Sequence, residues 1–128
     1  MKKTLKVLAA LTLLGASSWA MAANLADDMD TLAANYKTVL NTDSTDTFKQ
    51  SLQNMRAAAT DAQKGTPPKL ESKAPDSPEM KEFRQGLATL IGQIDQSMAL
   101  ANQGKLEDAR KVAQDFKQTR DANHKKFR

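Results

Sequence analysis

Apolar residues return every three to four positions in four separate stretches of this chain, and the residues between the stretches are those that start and stop helices. The first stretch, from about Asn24 to Asn41, sets Leu25, Met29, Leu32, Tyr36 and Val39/Leu40 on one stripe. Asn24 is placed to cap it, and Asp27 and Asp28 sit where the helix dipole favours acids. The second, about Ser44 to Lys64, carries Phe48, Leu52, Met55, Ala59 and Ala62 and stops at Gly65, just before Pro67 and Pro68. The third opens on Ser77-Pro78-Glu79, a capping serine followed by a first-turn proline. It runs through Met80, Phe83, Leu87, Leu90/Ile91, Ile94, Met98 and Ala101 to Asn102-Gln103-Gly104. The fourth begins near Lys105 and aligns Leu106, Ala109, Val112/Ala113, Phe116, Arg120, His124 and Phe127. Gly65 to Asp76 holds prolines that cannot continue a helix and makes the long connection, whereas the short links at Asn41 to Asp43 and at Gly104 force antiparallel neighbours. The predicted fold is therefore all-α, an antiparallel up-down-up-down four-helix bundle.

Composition removes the competing classes. Aromatic residues make up 5% of the chain and cysteine is absent, and β-branched residues never alternate with polar ones over a strand's length. Sheets, disulfide frameworks and thiolate metal sites lose their support. The formal charge of +4 suggests nucleic acid only until its location is considered, because Lys2, Lys3 and Lys6 lie at the extreme N-terminus. Those lysines form the basic region of a secretory signal, followed by the apolar run Val7 to Ala16 and the small-x-small site Ala20-Met21-Ala22. The apolar run falls well short of the roughly 20 residues that span a membrane. The expected organisation is thus a cleavable signal peptide at 1–22 and one bundle domain at 23–128, exported to the periplasm with no membrane attachment after cleavage. Without the leader no basic stripe survives to meet a row of phosphates, so no nucleic-acid partner is expected.

Topology brings the start of the first helix, the end of the second, the proline-rich loop, the start of the third and the end of the fourth to one end of the bundle. Met29 lies about five residues past the start of its helix and His124 about four before the chain end, so at 1.5 Å per residue both sit roughly 6 to 8 Å in. A lone histidine on an apolar face is more commonly packed than ligating, and methionine at a core position is commonly a gap filler. Together, however, a thioether and an imidazole from facing helices at one depth suit the two faces of a planar haem. Met80, in the first turn of the third helix, is the other sulfur at this end. Phe83 and Leu87 point toward the same space, and Pro67 and Pro68 would close over a flat apolar guest. Arg120 on the inward stripe calls for an anion, which haem propionates would supply, and Arg128 offers a second cation at the rim.

The runs Met55-Arg56-Ala57-Ala58-Ala59, Thr66-Pro67-Pro68-Lys69-Leu70-Glu71 and Asp76-Ser77-Pro78-Glu79-Met80-Lys81 resemble the soluble cytochrome b562 family, as does the ending Thr119-Arg120-Asp121-Ala122-Asn123-His124-Lys125-Lys126-Phe127-Arg128. The resemblance spans Ala23 to Arg128. It implies one noncovalent haem b per chain, with Met29 rather than Met80 as the sulfur ligand and His124 as the nitrogen ligand. It also implies Phe83 against the haem and Arg120 on the ligand-bearing helix. Leu87, Asn123, Gln85 and Ala33 depart from the family pattern and bear on pocket detail and redox tuning. No Cys-x-x-Cys precedes His124, so covalent attachment is excluded. The implied activity is electron transfer as a carrier, with an unidentified periplasmic redox partner and a monomeric state. The competing expectation is a haem-free periplasmic bundle acting as a binding or chaperone-like module. A hydrolase lacks a nucleophile-and-base set, since acids such as Asp27, Asp28 and Glu107 read as solvated helix faces.

Overall fold

The computed structural model describes residues 25–127, so the expected leader, the capping role of Asn24 and the rim position of Arg128 lie outside the described residues. Among the described residues the chain is entirely helical. α1 spans Leu25–Asn41, α2 Thr45–Ala62, α3 Pro78–Asn102, α4 Leu106–Gln114 and α5 Phe116–Phe127, with a short 3₁₀ turn at Pro68–Leu70 in the long connection. α1 packs on α2, α2 on α3, and α3 on both α4 and α5, while α4 returns to α1. The result is the expected up-down-up-down bundle of four rods.

Local chemistry accounts for the ends. Ser44 caps α2 by accepting the Thr47 amide at 3.1 Å, and Ser77 caps α3 by accepting the Met80 amide at 3.2 Å, with Pro78 in the first turn where no N–H is needed. α3 ends on Gly104 at φ 78°, a left-handed conformation. The Lys105 amide reaches back to the Leu100 carbonyl at 3.0 Å and the Gly104 amide to Ala101 at 3.0 Å, which satisfies the last carbonyls of the helix.

The fourth rod departs from expectation, because it is not continuous. At Asp115 the bonding tightens to three-residue spacing, Asp115 amide to Val112 carbonyl at 3.0 Å and Gln118 amide to Asp115 carbonyl at 3.2 Å. The Gln114 carbonyl instead accepts the Tyr36 hydroxyl from α1 at 3.3 Å. A side chain from a neighbouring helix has intervened in the ladder, and only packing brings it there.

The core is uneven along the bundle. Val39, Phe48, Leu52, Ile94 and Phe116 are fully buried. The end where α1 finishes and α2 starts is further closed by Arg110, which lies 5.8 Å over the Phe48 ring, donates to the Val39 carbonyl at 3.1 Å and reaches Glu107 at 3.5 Å. Within the core the Ser97 hydroxyl donates to the Ala109 carbonyl at 2.8 Å, tying α3 to α4. The opposite end is not filled in this way.

Candidate functional site

At that opposite end a cavity of about 590 Å³ opens between α1, α3, α5 and the proline-bearing connection. Met29 comes from the first turns of α1, His124 from the last turns of α5, and both line it. Phe83 and Leu87 of α3 form an apolar wall and Pro67 and Pro68 supply the loop side, where the sequence places them, and Thr66 joins them. Met80 is buried at 4% exposure but is not among the lining residues, so the geometry separates the two sulfurs that helix depth alone left together. A second hollow of about 200 Å³ continues toward the bundle centre and is bounded by Tyr36, Met55 and Phe116. Met29, Arg120 and His124 line both spaces. The thioether and the imidazole therefore stand at the junction, on opposite sides of the bundle in sequence but on one void in space.

Several lining residues escaped the sequence reading. Leu25, Leu32 and Leu90 extend the apolar wall, and Phe127 closes its C-terminal edge. Phe127 meets Phe83 edge-on, with ring centroids 5.5 Å apart and planes at 85°, so an aromatic pair pins the end of α5 to α3. An exposed ion pair, Lys126 to Glu82 at 3.0 Å, lies beside it. Asn123, where the family pattern is departed from, packs its side chain directly over Gly86, and the glycine leaves the room that this approach requires. No periodicity rule marks Gly86, although a glycine on one helix opposite a polar residue at matching depth on its neighbour is the usual trace of such a contact.

The electrostatics differ from expectation at two points. Arg120 already has company within the chain: its Nε donates to Asp121 Oδ1 at 3.3 Å, and its Cζ stands 5.7 Å from the Tyr36 ring centroid. Asp121 also accepts from Lys117 Nζ at 2.8 Å, and that bond holds its carboxyl below the usual range. Burial pushes the Tyr36 hydroxyl up, against the opposing charge of Arg120, so it remains a protonated donor at neutral pH. Asp28, expected on a solvated face, instead turns toward Asp61 of α2. Burial first, then the hydrogen bond and negative charge of Asp61 and the charge of Asp27, push the Asp28 carboxyl up to about 7. Asp61 Oδ1 is buried without a hydrogen-bond partner among the described residues. The correction is one of helix rotation, since residues at the start of α1 and the end of α2 meet only once the two rods are packed.

Among the described residues no group of three or more His, Cys, Asp or Glu side chains is placed to hold a metal ion, and no helix is long and apolar enough to cross a membrane. The soft donors on the larger cavity are the His124 imidazole and the Met29 thioether; Asp30, Thr66 and Asn123 add oxygen and amide groups to its otherwise apolar wall. The volume falls within the range of about 300–1,000 Å³ common to small-molecule and cofactor sites.

Comparison with known proteins agrees with this geometry. The family model described as Cytochrome b562 matches residues 24–128. A Yersinia pestis protein named probable soluble cytochrome b562 2 is 59% identical over 128 residues, covering 100% of both chains. A second from the same organism, probable soluble cytochrome b562 1, is 42% identical over 112 residues and covers 88% of each chain. An uncharacterised protein of Pasteurella multocida is 26% identical over 129 residues. With the match running from one end of the bundle to the other, this chain belongs to the cytochrome b562 family.

Proposed function

We propose that the chain binds one noncovalent haem b between Met29 and His124 and serves as a periplasmic electron carrier. The observation that supports this most directly is the placement of those two side chains, from the first and last helices, on the wall of one apolar cavity. The donor set suits the group: a thioether and an imidazole could both ligate a haem iron, and the apolar side chains of α3 would suit the flat ring. The sequence has no cysteine, so no thioether link to a vinyl group can form. When bound, the haem supplies a reversible one-electron couple, and Met/His ligation raises its potential.

The protein's own part is to hold, orient and dry. Met29 and His124 would hold the iron between them and leave no site on it for a substrate, which supports a carrier rather than a catalyst. Phe83, Leu87 and Leu90 would keep water from the bound group, and Pro67 and Pro68 would cover it from the loop side. Arg120, at the boundary of the two hollows, is placed to meet propionate charge. The periplasmic assignment rests on the leader-like segment Lys2 to Ala22, and the redox partner on the carrier role.

Titration of the mature chain with haemin should reach a Soret endpoint at one haem per chain and give sharp low-spin bands on reduction. Met29→Ala should leave a high-spin, weaker complex while Met80→Ala keeps the low-spin spectrum, and His124→Ala should lose haem at micromolar concentration. A flat titration would instead favour a haem-free binding module, and a reversed pattern for the two methionines would move the ligand to Met80.

A further inference from the structure

Tyr36 lines the second hollow beside Met29, Arg120 and His124, and neither core packing nor the proposed iron ligands use its hydroxyl or the face of its ring. It is buried at 8% exposure on the inward stripe of α1, beside Leu32 and Val39. Two groups from the fourth rod stand against its ring. The Phe116 ring is 5.7 Å away between centroids, tilted by 32°, and the Arg120 guanidinium carbon lies 5.7 Å from its centroid. Its hydroxyl is anchored on the Gln114 carbonyl at 3.3 Å, at the point where the fourth rod is interrupted. The ring is therefore held both by a neighbouring ring and by its own hydrogen bond.

We propose that Tyr36 is a positioning residue that holds the Arg120 guanidinium at the cavity wall, ready for the carboxylates of the bound group. This rests on the haem reading above. An arginine side chain is costly to immobilise because its four flexible bonds give up many rotamers. An aromatic face restrains the guanidinium by cation–π attraction without consuming its N–H donors. Asp121 takes only the Nε edge and is itself shared with Lys117 at 2.8 Å, so net positive charge remains at Arg120 for an incoming anion. The ordering is done before the guest arrives, and preorganisation of this kind appears as affinity.

The full chain is titrated with haemin and, separately, with haemin dimethyl ester, in which both carboxylates are capped. The quantity read is the ratio of the two affinities. Tyr36→Leu should lower the haemin affinity about three- to tenfold relative to the ester. Tyr36→Phe, which keeps the ring and gives up only the hydroxyl bond, should preserve the ratio. Arg120→Gln should lower the ratio on its own, and adding Tyr36→Leu to it should lower it no further. If Tyr36→Leu weakens both titrations equally, the residue only packs and the assignment is overturned. If the unsubstituted chain binds neither compound, the haem reading fails and carries this one with it.

Discussion

Replacing Phe127 with alanine would remove the apolar anchor that holds the His124 end of α5 against the bundle. The ring is 8% exposed and meets Phe83 edge-on at 5.5 Å. Truncating a core phenylalanine costs about 3–5 kcal/mol, and the low end applies here because the final turn of a chain relaxes more readily than a central one. The edge-to-face contact accounts for about 0.5–1.5 kcal/mol of that loss. The neighbouring tie, Lys126 to Glu82 at 3.0 Å, joins two exposed side chains. Such pairs contribute at most about 1 kcal/mol and cannot compensate. A local loss of about 3 kcal/mol corresponds to roughly 100-fold in amide exchange protection, or to full opening of the turn if it held less than that. Hydrogen exchange on the haem-free chain should therefore show protection falling steeply at residues 122–127, with a less than tenfold change around Leu52 and Ile94. Haem affinity should fall in proportion to the fraction of chains whose last turn remains formed. Uniform loss of protection throughout the bundle, or unchanged protection at the end of α5, would refute this account.

Two further outcomes follow from contacts at the same end. With its carboxyl raised from 3.8 to about 7, Asp28 keeps a proton in the folded chain that the unfolded chain releases, so haem-free stability should fall as pH rises across that window and level off above it. Asp61→Asn should flatten the slope, checked by urea midpoints near pH 4, 5.5 and 7.5; an unchanged slope would place its origin elsewhere. Gly86→Ala should fail to stabilise the native chain because the new methyl meets Asn123. In an Asn123→Ala background the same change should stabilise by about 0.5–1 kcal/mol, the helix-propensity gain of alanine over glycine; identical effects in both backgrounds would show that the contact does not constrain the helices.

The four rods, their direction and the turns between them were legible along the chain because they rest on local rules, whereas the break of the fourth rod at Asp115 was not. Ser44, Ser77, Pro78 and Gly104 act on amides and carbonyls within a few residues of themselves, and apolar spacing identifies which stripe turns inward. Helix rise alone placed Met29 and His124 at a common depth, and both do line the cavity. What depth does not encode is rotation about each axis and the lateral fit of one rod on the next. Those decide that Met29 lines the cavity and Met80 does not, that Asp28 meets Asp61, that Asn123 lies on Gly86, and that Tyr36 reaches across to Gln114 and Arg120. Side-chain ridges settle into a neighbour's grooves collectively, so each of these meetings depends on the whole packed interface rather than on the spacing of any two residues.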